Sequence, residues 1–167
     1  MSQNSAKLLC QFLTPERIAE IDSWIAKYPP DQKQSAVMSA LHIVQDQYGY
    51  LTSELMDAVA DYLDMPAIAV YEVSTFYTMY EHKPTARNIV NVCTNISCQL
   101  RGSAEVVDYL QQKLGVNLGQ VTADGRFTIR SVECLGACIN APMMQVNKDY
   151  HENLTKDKID QVLEQYS

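Results

Sequence analysis

Long hydrophobic runs are absent from this sequence of 167 residues. No apolar stretch approaches the ~18–20 residues needed to cross a bilayer, so direct membrane insertion is not expected. An excess of positive charge is also absent: 13 Lys and Arg face 20 Asp and Glu, a formal charge of -7. That balance excludes a broad nucleic-acid-binding face, which needs basic side chains for the phosphates. Glycine and proline number only six each, too few for a collagen-like repeat. Hydrophobic residues at 47% and charged residues at 20% exclude a mainly disordered tail and a coiled-coil rod. The opening residues, MSQNSAKLLCQFLTPERIAE, have neither a signal-peptide apolar core nor an Arg-rich, acid-free transit pattern. The expectation is a soluble chain of one domain, or two lobes, in a reducing compartment.

Cysteine is present in an odd number, five, which argues against a secreted disulfide framework. Cys10 stands alone, whereas Cys93 and Cys98 form one close pair and Cys134 and Cys138 another. Four clustered thiols in a chain of this kind point to a metal site. Cys10 reads as a free thiol near the terminus, not a fifth ligand.

The first half reads as helices. Thr14-Pro15-Glu16 is an N-cap, an N1 proline and a first-turn acid, followed by Ile18, Ile21, Ile25 and Tyr28 on one face. Pro29-Pro30 ends that helix and Asp31 is positioned to cap the next. Its stripe is Val37, Leu41, Val44 and Tyr48, with Gly49 as a left-handed stop. Thr52 or Ser53 opens a third helix with Leu55, Val59 and Leu63 inward, and Pro66 begins a fourth. The polar, proline-broken run Glu81–Thr85 marks a boundary, predicting a helical domain over 1–84 and a second domain over 85–167.

The second half changes period. Asn88–Val92 reads as a buried strand, Ser103–Leu114 as a helix ended by Gly115, and Phe127–Val132 as a strand after an Asp124-Gly125 turn, with a strand-like run before it. Met143–Val146 is a further strand, turning at Asn147-Lys148-Asp149, and a closing helix starts at Thr155 with Ile159, Val162, Leu163 and Tyr166 inward. The fold class expected is α+β, a helical bundle followed by helices on a small sheet.

Each cysteine pair follows a strand end: Val92 leads into Cys93 and Cys98, and Glu133 into Cys134 and Cys138. Neighbouring strands of one sheet bring both loops to one edge. Four thiolates there hold either a [2Fe–2S] rhomb, two per iron, or a single tetrahedral zinc. Gly136, Ala137 and Ala141 leave backbone amides free to approach inorganic sulfide, which favours the cluster.

The pattern C-x4-C, a long gap, then C-x3-C, with CLGAC running into INAPMMQVN, resembles the 24-kDa subunit family of respiratory complex I, whose bacterial form is the E subunit of NADH–quinone oxidoreductase. VYEVSTFYTMY and YHENLT resemble that family too, so the likeness spans nearly the whole chain. The pattern differs from the C-x4-C-x2-C and C-x2-C-x2-C runs of other ferredoxins. The resemblance implies a thioredoxin-like [2Fe–2S] ferredoxin domain after the helical one, with Cys93, Cys98, Cys134 and Cys138 as ligands. It also implies a partner flavoprotein subunit that binds FMN and NADH and exchanges electrons with the cluster, alongside other peripheral-arm subunits. The expected location is cytoplasmic, held to the inner face of the bacterial inner membrane through the complex. The chain would be a non-catalytic electron carrier of an NADH:quinone translocase. Alternatives are a diaphorase subunit of an NAD-linked hydrogenase or formate dehydrogenase, and a zinc-stabilised interaction module.

Other features read blandly. Gly115-Val116-Asn117-Leu118-Gly119 lacks the G-x-G-x-x-G spacing and follows a helix, so no dinucleotide site is expected on this chain. His42, His82 and His151 lie far from the thiol loops and read as ordinary side chains. Arg101 reads as a solvated residue, with charge compensation at the cluster as its other role. Phe76, Tyr77 and Tyr80 read as helix and linker packing before partner docking. Pro142 is placed where thioredoxin-like folds often carry a cis proline, but either isomer is open.

Overall fold

Threonine hydroxyls start two of the helices of the first half, and the computed structural model, which describes residues 6–166, shows how. Helix α1 is Ala6–Phe12 and α2 is Pro15–Ile25, the latter capped by Thr14, whose side chain accepts the Arg17 N–H. A 3-10 turn, Lys33–Ala36, runs into α3, Val37–Tyr48. Thr52 caps α4, Ser53–Tyr62, by accepting the Leu55 N–H at 3.2 Å, and α5 is Ala67–Phe76. Helix α1 packs on α4, α2 on α3, and α4 on α5. Leu9, Ile21, Leu41, Val44, Val59 and Leu63 are buried between them. Gly49 takes φ +80° and its N–H donates to Gln45 O at 2.7 Å, closing α3 in the left-handed geometry that glycine permits.

Three local expectations fail here; one is Tyr48, which ends the α3 stripe but is 39% exposed because its hydroxyl reaches out to donate to Phe12 O. Helix α2 stops at Ile25, and Tyr28 is 37% exposed instead of continuing the buried face. A residue preceding proline is driven from helical ψ, so Tyr28 before Pro29 cannot extend the helix. Asp31 does not cap: the next turn follows Gln32 with no side-chain cap.

Residues 85–167 form a second compact unit, divided from the first between Pro84 and Thr85. Its sheet has strands β1, Asn88–Cys93; β2, Phe127–Val132; β3, Met144–Val146; and β4, Asp149–His151. The order is β2-β1-β3-β4, with β1 and β2 parallel and the other pairs antiparallel. The parallel pair needs a crossover, supplied by α6, Ile96–Leu100, and α7, Ser103–Leu114. Helix α8, Lys156–Gln165, closes the chain, capped by Thr155. Val90, Val92, Phe127, Ile129, Met144 and Val146 of the sheet are buried against Val106, Leu110, Ile159 and Val162 of the helices. Helices plus a mixed four-stranded sheet make this an α+β chain, as expected.

The run before Asp124-Gly125 is not a strand; Val121 makes one isolated bridge to Thr128. Gly119 at φ +78° interrupts the extended path, and its N–H donates to Ile129 O at 2.8 Å. Asp149 lies in a strand instead of the turn, pairing with Val146.

Candidate metal centre

Parallel pairing of β1 with β2 runs in register to Cys93 opposite Val132. Both strands therefore end at one edge, and the chains leaving them are tied together. The Thr94 N–H donates to Val132 O at 3.0 Å, and the Thr94 and Ser131 hydroxyls share a 2.7 Å hydrogen bond. Asn95 Nδ2 donates to Glu133 Oε2 at 2.7 Å, while Asn95 Oδ1 accepts the Ile96 N–H at 2.9 Å and starts α6. Cys98 thus sits on a short helix, not in the loop the spacing implied. An Asn one residue before an apolar start was the signal for that cap.

The four thiols come together as two pairs of different character. Cys93 and Cys98 are buried, 2% and 1% exposed, with Ala141 and Met143 beside them and Leu135 and Ala137 packed around. Cys134 and Cys138 are exposed, their sulfurs 3.7 Å apart. The Gly136 N–H donates to Cys134 Sγ at 3.4 Å, from a backbone at φ +83°. Burial pushes the Cys98 thiol up to about 11; its hydrogen bond with Cys93 acts in the same direction, and a backbone hydrogen bond at Met143 opposes both. Charge on Cys93 and on Cys138 raises it further, so Cys98 feels both its own pair and the other. None of these cysteines is in a disulfide. Among the described residues, no three of His, Cys, Asp or Glu converge closely enough to hold a single metal ion.

A structural zinc needs four ligands around one point. A [2Fe–2S] rhomb needs two thiolates on each of two irons, and paired donors with amide and apolar cover fit it.

The sequence profile described as thioredoxin-like [2Fe-2S] ferredoxin matches residues 21–167. The chain belongs to that family. The E subunit of NADH-quinone oxidoreductase from Rickettsia bellii is 43% identical over 141 residues, 84% of each chain. The second E subunit of the same oxidoreductase from Rhizobium meliloti is 42% identical over 147 residues, 88% of this chain and 86% of the relative. A crystal structure of an NAD+-reducing [NiFe]-hydrogenase in the air-oxidized state superposes with TM-score 0.68 at 21% identity, over 83% of this chain and 24% of that one. That likeness is one of fold. The family carries a [2Fe–2S] cluster, which agrees with the donor set found here.

The remaining candidates stand apart from the thiols. Cys10 lies on α1 in the helical unit. His42 stacks edge-on to Tyr80 with centroids 6.2 Å apart, and the His82 ring meets Ser74 O at 3.0 Å. His151 meets the Tyr166 hydroxyl at 3.3 Å. Arg101 is exposed at the end of α6. The aromatic run divides: Tyr80 is buried, its hydroxyl donating to Met38 O at 2.9 Å, while Phe76 is 76% exposed. The Ala141–Pro142 bond is cis.

Proposed function

We propose that this chain is an electron-transfer subunit of NADH–quinone oxidoreductase, with one [2Fe–2S] cluster on Cys93, Cys98, Cys134 and Cys138. The two thiol pairs meeting at the ends of adjacent parallel strands carry the reading. Relatives that bear the name of that oxidoreductase, 42–43% identical over more than four fifths of both chains, support the assignment to that complex.

When bound, the cluster supplies a one-electron carrier. The chain's own residues set its conditions. Cys93 and Cys98 would hold it from a buried pocket shared with Ala141 and Met143, and Cys134 and Cys138 from the exposed loop. The Gly136 amide offsets negative charge at Cys134, a lever on reduction potential. As a one-electron carrier the chain would need no general acid, base or nucleophile of its own, and catalytic activity would belong to the assembly. FMN and NADH belong to a partner flavoprotein, where a flavin converts two-electron hydride chemistry into single-electron steps. Residues 1–84 act as a helical domain and 85–167 as the cluster domain. Among the described residues no helix is long and apolar enough to cross a membrane; the chain is held peripherally, on the cytoplasmic side, through the complex.

Anaerobic purification with iron and acid-labile sulfide assays, and EPR before and after dithionite, tests the cluster. Two irons and two sulfides per chain, with a rhombic signal only after reduction, are expected. Zinc without sulfide would sink the reading. Co-purification of the native chain with hydrogenase or formate dehydrogenase subunits, instead of membrane-arm proteins, would move it to a diaphorase.

A further inference from the structure

The acidity of this chain is concentrated in one half. Residues 1–84 contain five Lys and Arg against eleven Asp and Glu, so they carry -6 of the total -7. Within that unit lies a cleft of about 290 Å³. Its walls are two helical ridges: Glu20 and Trp24, one turn apart on α2, and Met38, His42 and Asp46, successive turns of α3. Tyr80 closes it. The closing segment is pinned before anything binds. Tyr80 hydroxyl holds Met38 O, Gln45 Nε2 donates to Met79 O at 2.9 Å, and Gln45 Oε1 accepts the Glu81 N–H at 2.7 Å. The cleft is therefore preformed, which lowers the cost of occupying it.

Size and chemistry select the occupant. The volume lies at the bottom of the ~300–1,000 Å³ range of small-molecule pockets, so a single long side chain fits better than a cofactor. Two carboxylates from different helices and an indole are the complement of a planar cation. The protein's own cations already test those groups. Lys27 Nζ lies 3.3 Å from the centroid of the Trp24 ring, and Arg17 Nη1 lies 3.0 Å from Glu20 Oε2.

We propose that this cleft receives an arginine side chain of a partner protein, its guanidinium stacked on Trp24 and paired with Glu20 and Asp46. A guanidinium satisfies both demands at once, because it stacks through its face and donates through its edge. Lys27, a point charge on a flexible stem, yields Trp24 to it, and Glu20 exchanges or shares its exposed pair with Arg17, a contact of little net worth in water. That the partner belongs to the oxidoreductase rests on the function proposed above; the guanidinium chemistry does not.

Trp24 is the only tryptophan in the chain, so its emission reads the cleft directly. The full, cluster-loaded chain is titrated with acetyl-Ala-Arg-Ala-amide, and with the same peptide carrying citrulline, the neutral isostere. A saturable change in emission is expected for the arginine peptide at roughly millimolar concentration, at least tenfold weaker with citrulline. The double variant Glu20→Gln/Asp46→Asn weakens binding roughly tenfold, and Lys27→Ala, which clears the indole, tightens it. No saturable change, equal binding of citrulline, or a Lys27→Ala chain that binds more weakly overturns the proposal. Iron, sulfide and EPR on the same samples report the cluster separately, so loss of one reading is not mistaken for loss of the other.

Discussion

Asn95 makes two contacts that hold the thiol loops, and its replacement by alanine tests how the site is built. Its Oδ1 caps α6 through the Ile96 N–H, and its Nδ2 ties that loop to Glu133, the residue before Cys134. Losing an Asn cap costs about 1 kcal/mol. Losing a charge-assisted bond between partly exposed partners costs about 0.5–1 kcal/mol. Together these lower the local opening free energy by about 1.5–2 kcal/mol, a factor of roughly 10–30 in the open population. The assay is amide hydrogen exchange at Thr94, bonded to Val132 O, and at Gln99, bonded to Asn95 O. Both amides exchange roughly 10–30 times faster in Asn95→Ala. Asn95→Asp separates the contributions, since it keeps the capping oxygen but turns the donor into a carboxylate facing Glu133. There Thr94 exchanges faster while Gln99 stays protected. Exchange within about twofold of the parent at Thr94 in both variants would refute the role given to the tie.

Three further outcomes follow from buried, capped and charged positions. Phe127→Ala empties a site only 1% exposed, at the start of edge strand β2 in the core between sheet and helices, and denaturant unfolding should show a loss of about 3–5 kcal/mol. Thr155→Ala removes the hydroxyl that accepts the Lys158 N–H at 3.2 Å at the start of α8; about 1 kcal/mol is expected in the same measurement. Asp124 is held down to about 2 by the Thr122 hydroxyl and the Arg126 N–H, against 3.8 unperturbed. Its folded-state value is depressed, so its contribution is present above about 3.8 and is lost as pH falls toward 2. Urea midpoints measured from about pH 5 down to 2 should therefore fall less steeply in Asp124→Asn, and an unchanged slope would count against the contact.

What could be read from residues alone was what neighbours along the chain decide. Thr14, Thr52 and Thr155 announce helix starts, and Gly49 and Gly115 announce stops, because caps are satisfied within three or four residues. The helix Ser103–Leu114 and the buried strand at Asn88 have periods long enough to stand out. The four thiols were visible as two spaced pairs, and the surrounding motif carried the resemblance to the family. Spacing alone left zinc and iron–sulfur both open. Helix α1, seven residues without an acidic first turn or a basic last one, gave too little period to be seen, and its reason for existing is packing on α4. Strand β4 is three residues that pair only because β3 lies alongside. Tertiary structure alone made one thiol pair buried and left the other open, since that depends on Ala141 and Met143 folding back over Cys93 and Cys98. It also gathered Glu20, Trp24, Asp46 and Tyr80 around one cleft. Contacts between residues far apart in the chain are set by which faces must leave water together, and no local pattern carries that choice.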